Sequence, residues 1–453
     1  MIPRRLSEIA EAVGGRLVGG DGAVSSVATD SRRVEPGALF VALRGEHLDG
    51  HDFLGEAVAR GAAGVLVRAP AHVGPAIEVD DPGRALLDLA ADERRRMPDV
   101  TVVGVTGANG KTSTKDLAAA VLATRFRTHA SPASFNNEIG LPMTLLGAAA
   151  RTEVVVAEMG ARHEGDVHLL CEIARPDLVV VTNVGVAHMG IFGSWEAIVR
   201  AGAEPVRWLG PEGVAILNVD DPVVRAYGDQ TRTRAITFGL DRSADVRAEE
   251  VVPGADGRAS FALVAGQERE PVELAVPGEH MVPNALAAAA CGIALGLSAA
   301  ECAAALKGAR VSGWRMETFT TSEGVIVVND AYNANPESMA AALKAARSIA
   351  RSGRLVAVLG HMAELGAISL EEHERLGELI VRIGVERLIT VGEEATPIAR
   401  AAIREGQLPE DVAVCNHLEE AGAALRAWIR PGDVVLLKGS RVAGLERLAE
   451  ALR

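Results

Sequence analysis

Short apolar runs alternate with amphipathic stretches along the whole chain, which predicts strands alternating with helices. In the middle of the chain the apolar runs are TVVGVT, EVVVAEMG, DLVVVTNVG, GVAILNVDD and AITFGL. Runs this apolar are typical of parallel strands that helices cover on both faces. Residues 242–276 alternate polar and apolar positions instead, which predicts antiparallel strands added to the same sheet. The pattern therefore predicts an α/β fold with a doubly wound, mostly parallel central sheet.

The same alternation continues on both sides of this central region. Residues 311–453 contain the strand patterns VIVVND, LVAVLG, RLITVG and DVVLLKGS between alanine-rich helices, and residues 1–83 contain shorter strand and helix patterns. A chain of 453 residues is too long for a single hydrophobic core. We therefore predict a small N-terminal α/β domain at 1–83, a central P-loop domain at 84–310 and a C-terminal Rossmann-like domain at 311–453.

The stretch 102–117, VVGVTGANGKTSTKDL, combines a strand, a glycine-rich turn and the start of a helix. Glycines allow backbone N–H groups to approach an anion, and the first turn of a helix presents unpaired N–H donors to it. Lys111 can reach the β- and γ-phosphates of a nucleotide, and the Thr112 hydroxyl can ligate Mg²⁺. The strict P-loop pattern needs glycine where this chain has Val105. The coincidence of strand, turn, lysine and threonine still predicts a nucleotide site.

Acidic residues outnumber basic ones, 60 to 46, which gives a formal net charge of −14. An acidic surface disfavours nucleic acid and anionic membranes as partners, so an anionic substrate needs a local basic pocket. The segment MIPRRLSEIAEAV has no apolar run behind its arginines, and no uninterrupted apolar stretch is long enough to span a bilayer. We therefore expect a cytoplasmic protein. The cysteines lack metal-ligand spacing, which favours buried apolar positions for them.

Polar residues follow several strand patterns, at the edge of the sheet where ligands are expected. Glu158 ends one strand pattern and His188 follows the next, so both are candidate Mg²⁺ ligands; a helix-capping glutamate and a loop histidine are the alternatives. Arg315 follows a glycine-containing linker and could bring a positive charge onto the nucleotide when domains close, or it is a surface arginine. Ser31 and Arg32 lie in a polar cluster that suits a phosphate group.

Several segments together resemble those of one enzyme family. They are TGANGKTSTK, TNVGVAHMGIFGS, LNVDD, VVNDAYNANPESM, VLGHMAELG and KGSR. The chain resembles the ATP-dependent Mur ligases of peptidoglycan synthesis across all three predicted domains. The VVNDAYNANPESM and VLGHMAELG segments resemble those of family members that act on a D-alanyl dipeptide. The resemblance implies an ADP-forming ligase that uses ATP and Mg²⁺ and joins D-alanyl-D-alanine to UDP-N-acetylmuramoyl-tripeptide through an acyl phosphate. We expect the protein to be a monomer.

The resemblance also implies roles for individual residues. The catalytic residues would be Lys111, Glu158, His188 and Arg315. The Mg²⁺ ligands would be Thr112, Glu158 and His188. The nucleotide would be bound by Gly107, Asn109, Gly110, Lys111, Thr112, Ser113, Asn218, Asn284, Arg315 and Asp330. The UDP end of the substrate would contact Ser31 and Arg32, its sugar–peptide part Asn136 and Asn137, and the dipeptide side Asn333, Asn335, Lys438 and Arg441.

One position departs from this resemblance. The family usually has a carbamylated lysine, which bridges to a second Mg²⁺, where this chain has Gly202. Glycine carries no carbamate, so a second cation would need another ligand, such as water or Glu204. On this interpretation, the substitution Gly202→Lys raises activity if the missing carbamate limits the rate.

Other functions are compatible with parts of the sequence. A sibling ligase that adds a single amino acid and a folate-polyglutamating enzyme belong to the same superfamily, but the NDAYNANP and GHMAELG segments argue against both. A P-loop motor or switch would leave the two flanking domains unexplained. The absence of a lysine at Gly202 suggests a further alternative, a protein that binds the substrates and converts them slowly.

Overall fold

The structure is a computed structural model that describes residues 1–45, 47–68, 70, 73–254 and 256–453. Its elements confirm the predicted α/β class, with a main sheet in each of three successive stretches of the chain. We call these stretches the N-terminal unit (1–79), the middle unit (82–308) and the C-terminal unit (317–453), joined by a linker at 309–316. The domain boundaries predicted above stay a prediction. Within the described ranges, no helix combines the length and the apolar character needed to cross a membrane.

The N-terminal unit is a small, mostly parallel sheet. Its strands are β1 (Arg4–Arg5), β2 (Arg16–Val18), β3 (Ala23–Val24), β4 (Ser26–Ala28), β5 (Ala38–Val41), β6 (Gly64–Arg68) and β7 (Ala76–Val79), and its helices are α1 (Leu6–Ala12) and α2 (Leu54–Ala59). The main sheet has the order β2-β7-β6-β5-β4, in which only β2 runs antiparallel among the described strands. A 3₁₀ turn at Ser31–Arg33 follows β4, so it lies at the carboxyl edge of the parallel strands.

Helix α3 (Pro82–Arg95) connects this unit to the rest of the chain. It begins at Asp81, whose carboxylate accepts hydrogen bonds from the N–H groups of the first turn, as expected for an N-cap. Leu86 and Leu89 on its buried face belong to a hydrophobic cluster that extends from Leu6 in the N-terminal unit to Leu170 in the middle unit. The N-terminal and middle units therefore share one continuous apolar core.

The middle unit contains the predicted doubly wound sheet. Its strands are β8 (Thr101–Thr106), β9 (Thr128–Ala130), β10 (Val154–Glu158), β11 (Leu178–Val181), β12 (Val214–Asn218), β13 (Arg234–Gly239), β14 (Val246–Pro253), β15 (Arg258–Ala265) and β16 (Glu268–Pro277). Its further helices are α4 (Lys111–Leu122), α5 (Gly140–Gly147), α6 (Asp166–Ala174), α7 (Met189–Phe192), α8 (Trp195–Trp208), α9 (Pro222–Tyr227), α10 (Met281–Ala294) and α11 (Ala299–Gly308).

The order of these strands places the glycine-rich turn near the centre of the sheet. The order is β16-β15-β14-β13-β12-β11-β8-β10-β9, with parallel pairing from β9 to β14 and antiparallel pairing of β15 and β16, as predicted. Glu158 is in register with Val105, and Val181 with Thr106. The residues that follow β8, β10 and β11 therefore meet at one edge of the sheet.

The C-terminal unit has a second parallel sheet. Its strands are β17 (Glu317–Thr320), β18 (Ile326–Asn329), β19 (Leu355–Gly360), β20 (Arg387–Val391), β21 (Val412–Cys415) and β22 (Val434–Lys438), and its helices are α12 (Pro336–Ala350), α13 (Ser369–Ile383), α14 (Thr396–Glu405), α15 (Leu418–Trp428) and α16 (Glu446–Ala451). The order is β17-β18-β22-β19-β20-β21, with β17 antiparallel at one edge. In the linker before it, the N–H and hydroxyl of Ser312 both donate to Oδ2 of Asp116 at 2.7 Å, which ties the linker to α4.

Candidate active site

A cavity of about 1530 Å³ lies where the middle and C-terminal units meet. Its wall includes the turn after β8, the loop after β10, the segments that follow β18 and β22, and Arg33 of the N-terminal unit. The middle unit and the C-terminal unit thus contribute the carboxyl ends of parallel strands to one space, the usual place for a ligand in folds of this class.

Two glycines shape the turn after β8. Gly107 has φ +131°, and a Cβ there would lie 2.1 Å from Oγ1 of Thr182. Gly110 has φ +79°, and a Cβ there would lie 2.3 Å from Oδ1 of Asn284. Side chains are therefore excluded at both positions by conformation and by space, which leaves the backbone N–H groups of the turn and of the start of α4 open to an anion. Asn183 braces the turn by accepting a hydrogen bond from the N–H of Asn109 at 2.8 Å.

Lys111 lies against the turn that it follows. Its Nζ donates to the carbonyls of Gly107 at 2.6 Å and Ala108 at 3.1 Å. Desolvation lowers the pKa of Lys111, and the charge of Arg315 lowers it further against the opposing effect of Glu158. A phosphate oxygen would offer this ammonium group an anionic partner in place of two neutral carbonyls, so the lysine fits a nucleotide phosphate.

A buried carboxylate lies beside the first turn of α4. Oε2 of Glu158 accepts a hydrogen bond from the Thr112 hydroxyl at 2.7 Å, and Oε1 accepts one from Nδ2 of Asn136 at 2.8 Å. Thr112 and Glu158 are almost completely shielded from solvent, at 0% and 1% exposure. A hydroxyl and a carboxylate are the hard oxygen donors that Mg²⁺ prefers. Thr112 and Glu158 therefore fit one Mg²⁺.

Arg315 of the linker faces the same group of side chains. Its Nη2 donates to Oγ of Ser134 at 2.8 Å, and Ser134 lies 3.0 Å from the Thr112 hydroxyl. The guanidinium lies over the ring of Tyr332, 4.4 Å from its centroid. Its Nε is buried and has no hydrogen-bond partner among the described residues. Because a buried unpaired N–H is costly, this atom points to an oxyanion as its partner.

His188 connects the middle unit to the C-terminal unit. It has φ +61° and directly precedes α7. Its Nδ1 is hydrogen-bonded to Oε2 of Glu364. Burial lowers the pKa of His188, although the hydrogen bond and the charge of Glu364 raise it in part.

The dipeptide-side residues predicted in the C-terminal unit all line the cavity, and each already has a partner within the protein. Nζ of Lys438 donates to Oδ2 of Asp330 at 2.5 Å and to the carbonyl of Asn333 at 2.9 Å. Nδ2 of Asn335 donates to Oδ1 of Asn109 at 2.7 Å, which places Asn335 beside the phosphate turn. The guanidinium of Arg441 lies 4.2 Å from the centroid of the Trp314 ring.

Asn218 and Asn284, predicted to bind the nucleotide, both line the cavity, as does Ser113. Nδ2 of Asn218 donates to the carbonyl of Thr182 at 2.8 Å, and Oδ1 of Asn284 accepts from the Thr114 hydroxyl at 3.3 Å. These bonds hold the two amides at the wall, on the middle-unit side.

The two residues predicted in the N-terminal unit, Ser31 and Arg32, are not among those that line the cavity, and their role in substrate binding stays a prediction. The hydroxyl of Ser31 donates to Glu56 at 2.7 Å, and the exposed guanidinium of Arg32 forms two hydrogen bonds with Asp30. The cavity is lined instead by Arg33, for which no ion pair is found in the described part of the chain. The side chain of Asn137 lines the cavity too, but its Oδ1 accepts the N–H of Gly140 at 2.9 Å, the local capping role typical of a turn asparagine.

Several residues that line the cavity were not predicted from the sequence, among them Arg33, Ser134 and His280. Arg33 directly follows the predicted pair Ser31 and Arg32, so that segment was recognised without the residue that faces the site. Ser134 lies in the segment SPASFNN, whose serine, proline and asparagine residues are typical of turns, and nothing near it in sequence indicates a partner.

Comparison with known proteins gives the family. Models described as "Mur ligase family, catalytic domain", "Mur ligase middle domain" and "Mur ligase, glutamate ligase domain" match residues 23–103, 105–292 and 314–441. UDP-N-acetylmuramoyl-tripeptide--D-alanyl-D-alanine ligase of Mycobacterium bovis is 42% identical, over 100% of this chain and 98% of its own. The chain belongs to the Mur ligase family.

Solved Mur ligase structures agree with this assignment. MurF from Acinetobacter baumannii is 30% identical and superposes with a TM-score of 0.88, covering 99% of this chain and 98% of its own. MurF ligase from Thermotoga maritima, solved in complex with ADP, is 28% identical with a TM-score of 0.81, covering 95% and 97%. The similarity extends over all three units, so the whole architecture is that of a Mur ligase.

The lysine that the Mur ligase resemblance leads us to expect in α8 has no room in this chain. A Cβ at Gly202 would lie 2.7 Å from the hydroxyl oxygen of Tyr227, and that hydroxyl donates to the carbonyl of Val199 at 2.7 Å. The suggested substitute, Glu204, accepts the N–H groups of Gly165 at 2.6 Å and His168 at 2.9 Å, at the start of α6. These contacts oppose a gain of activity in Gly202→Lys and engage Glu204 at the start of α6, and both expectations for this position stay predictions.

The protein ligands of this Mur ligase thus fit one cation but not a carbamate-bridged second one. Among the described residues, no group of three His, Cys, Asp or Glu side chains could hold a metal ion. The pair formed by Thr112 and Glu158 would instead hold Mg²⁺ together with phosphate oxygens and water, and one remaining position is open to His188, the third predicted ligand, which lines the same cavity.

Proposed function

We propose that this Mur ligase joins D-alanyl-D-alanine to UDP-N-acetylmuramoyl-tripeptide, with conversion of ATP to ADP and inorganic phosphate. The observation that carries the proposal is the full-length similarity to a Mycobacterium bovis enzyme of that name, at 42% identity. The geometry supports it, because one cavity brings together a phosphate turn, a buried carboxylate and residues from all three units.

For phosphoryl transfer, the proposal depends on cationic side chains, a Mg²⁺-binding pair and backbone N–H groups around the phosphates. Lys111 would exchange its bonds to the turn carbonyls for bonds to the β- and γ-phosphates, and Arg315 would bind a phosphate oxygen through its unpaired Nε. Glu158 and Thr112 would hold Mg²⁺, which neutralises developing negative charge on the phosphates. The N–H groups of the turn at Gly107 and Gly110 complete the cradle, and Asn218 and Asn284 would border the base.

The chemical sequence needs an activated carboxyl group. The carboxylate of the tripeptide attacks the γ-phosphorus, and ADP leaves as the acyl phosphate forms. The amine of D-alanyl-D-alanine then attacks the acyl carbon, inorganic phosphate leaves, and an amide bond remains. The acyl phosphate must be kept from water in the meantime. Contacts between the middle and C-terminal units, such as the 2.7 Å bond between Asn335 and Asn109, close the cavity on that side.

Substrate orientation follows from the positions of the three units. Arg33 is the cation of the N-terminal unit that faces the cavity, so it would bind the diphosphate end of the UDP substrate, with Ser31 and Arg32 as its neighbours. Asn136, in the loop after β9, donates to Glu158 at the end of β10 and would border the peptide near the reacting carboxyl group. Asn333, Lys438 and Arg441 would face the dipeptide.

We further propose that the enzyme acts as a monomer in the cytoplasm, with domains at 1–83, 84–310 and 311–453. The acidic surface implied by the net charge of −14 disfavours attachment to an anionic membrane.

The test is the dependence of phosphate release on both peptide substrates. Purified protein with ATP and Mg²⁺ should release phosphate only when UDP-N-acetylmuramoyl-tripeptide and D-alanyl-D-alanine are both present, with one ADP formed per amide bond. A motor or switch would hydrolyse ATP without either peptide, and a protein that only binds would release none. Replacing the dipeptide by single amino acids tests the sibling ligase.

A further inference from the structure

Glu364 of the C-terminal unit reaches into the middle unit at His188. Oε2 of Glu364 is hydrogen-bonded to Nδ1 of His188, and Oε1 lies 3.4 Å from the guanidinium of Arg162. The backbone carbonyl of Glu364 also accepts the N–H of Gly190 at 2.8 Å. Glu364 therefore contacts the middle unit both through its side-chain carboxylate and through its backbone carbonyl.

Both partners adopt a backbone conformation that their residue types rarely take. His188 has φ +61° and Glu364 has φ +63°. Left-handed backbone at a non-glycine residue is costly and is concentrated at functional sites, where the surroundings enforce it. Two such residues in direct contact across the boundary between units show that the arrangement of this pair is enforced from both sides.

The enforcing element is a close approach of two backbones. A Cβ at Gly190 would lie 2.7 Å from the backbone nitrogen of Gly366, and a Cβ at Gly366 would lie 2.6 Å from Cα of Gly190. No side chain fits between the two loops at this point. When the C-terminal unit docks on the middle unit, Glu364 is therefore delivered to His188 at a fixed distance.

The contact determines which ring nitrogen of His188 has the free lone pair. An ionised carboxylate only accepts hydrogen bonds, so Nδ1 must be the protonated nitrogen. In a neutral imidazole the lone pair then belongs to Nε2. A carboxylate behind a histidine is the usual device that orients the ring for a cation and makes the opposite nitrogen a better donor of its lone pair.

We propose that Glu364 is a positioning residue, which fixes the tautomer and orientation of His188 so that Nε2 is available to the nucleotide-bound cation only when the C-terminal unit is docked. This proposal rests on the proposed ATP-dependent function. It makes completion of the cation site depend on domain docking, so that ATP is engaged productively only in the closed arrangement.

Two substitutions separate this role from a structural one. Glu364→Gly removes the carboxylate, accepts the left-handed backbone without strain and keeps the main-chain bond to Gly190. Glu364→Gln keeps an oxygen that can accept the Nδ1–H bond. The matched control is Arg162→Ala, which removes the other contact of the same carboxylate and none of the hydrogen bonds of His188.

The first measurement is the ¹⁵N spectrum of the free, full-length enzyme labelled at histidine, with His188→Gln used to assign its signals. We expect a protonated Nδ1 and an unprotonated Nε2 for His188 in the wild type, in Glu364→Gln and in Arg162→Ala, and a tautomer mixture in Glu364→Gly. The second measurement is calorimetry of ADP binding as a function of Mg²⁺ concentration. Loss of an outer partner of a cation ligand typically weakens metal binding about 10- to 100-fold, which is the weakening expected for Glu364→Gly.

Steady-state kinetics complete the test. In Glu364→Gly, kcat should fall about 10- to 100-fold while KM for D-alanyl-D-alanine stays within about twofold, and Glu364→Gln should recover most of the loss. An unchanged tautomer in Glu364→Gly, or equal losses in the Gly and Gln variants, overturns the proposal. The spectrum and the ADP titration need no peptide substrate, so they remain decisive for Glu364 even if the wild type forms no amide product.

Discussion

The hydroxyl oxygen of Tyr227 lies 2.7 Å from the point that a Cβ at Gly202 would occupy. Tyr227 is 1% exposed, and its hydroxyl is fixed by the bond to the carbonyl of Val199. The Tyr227 side chain on α9 thus occupies the space that the Cβ of a larger residue at position 202 of α8 would need. Gly202 and Tyr227 are complementary in volume, so a substitution at either position is expected to change the packing of the other.

Gly202→Ala should therefore destabilise the protein, because overpacking of a closed site typically costs about 1–3 kcal/mol. Urea unfolding gives the change in the free energy of unfolding. The same substitution in a Tyr227→Phe background, which lacks the hydroxyl oxygen, should cost clearly less. Equal costs in both backgrounds would show that the two residues do not interact.

Activity should be independent of carbon dioxide. A carbamate needs a lysine amine, and α8 offers none at Gly202. We expect the wild-type rate to be the same in degassed buffer and after addition of bicarbonate, and we expect Gly202→Lys to be no faster than the wild type. A rate that rises with bicarbonate would contradict the assignment of a site without carbamate.

Lys111→Ala should remove activity while leaving the fold intact. The ammonium group bonds only to the carbonyls of Gly107 and Ala108, so the core loses nothing with it. Removing one charge-stabilising donor at a reacting centre typically costs about 10²–10³-fold in kcat. Phosphate release measures the loss, circular dichroism checks the fold, and Lys344→Ala on the exposed face of α12 is the control.

Substitution of Arg33 should raise KM for the UDP substrate much more than substitution of Arg32. Arg33→Ala removes the cation that faces the cavity, and loss of a hydrogen bond to a charged group should raise KM for the UDP substrate about 10- to 100-fold. Arg32→Ala removes a side chain that is paired with Asp30, so a much smaller change is expected. A larger increase of KM in Arg32→Ala than in Arg33→Ala would instead support Arg32, the residue predicted from the sequence.

Arg315→Lys should be a poor replacement despite the equal charge. Lysine has no Nε–H directed at an oxyanion, cannot keep the Ser134 bond in the same geometry and loses the planar stacking on Tyr332. We expect kcat with ATP to fall at least about 10-fold, with Arg310→Lys in the same linker as the control. Full activity in Arg315→Lys would mean that only charge matters here.

The sequence was sufficient where the chemistry is local. Strand β8, the glycines of the turn, Lys111 and Thr112 are consecutive in the chain, so their spacing already specifies their geometry. The appended antiparallel strands were predictable for the same reason, because alternation of polar and apolar residues is a local property.

The sequence was insufficient where distant loops meet. His188 and Glu364 are 176 residues apart, and their contact depends on how two sheets are placed relative to each other. Arg32 and Arg33 are adjacent, and only the 3₁₀ turn at Ser31–Arg33 determines which of them faces the cavity. Similarly, Gly202 was recognisable as a departure, but the tyrosine that fills its space lies in another helix.

The shared apolar core between the N-terminal and middle units has a mechanical consequence. Separating these units would expose the cluster around Leu86 and Leu89 to water, whereas the C-terminal unit meets the middle unit through polar contacts such as those of Asn335 and Glu364, which water can replace. We therefore expect the N-terminal and middle units to behave as one rigid body, and the C-terminal unit to rotate relative to them about the linker. Because Ser312 is bonded to α4, the pivot of that swing lies next to the phosphate turn, so a small rotation there is enough to engage or release Arg315.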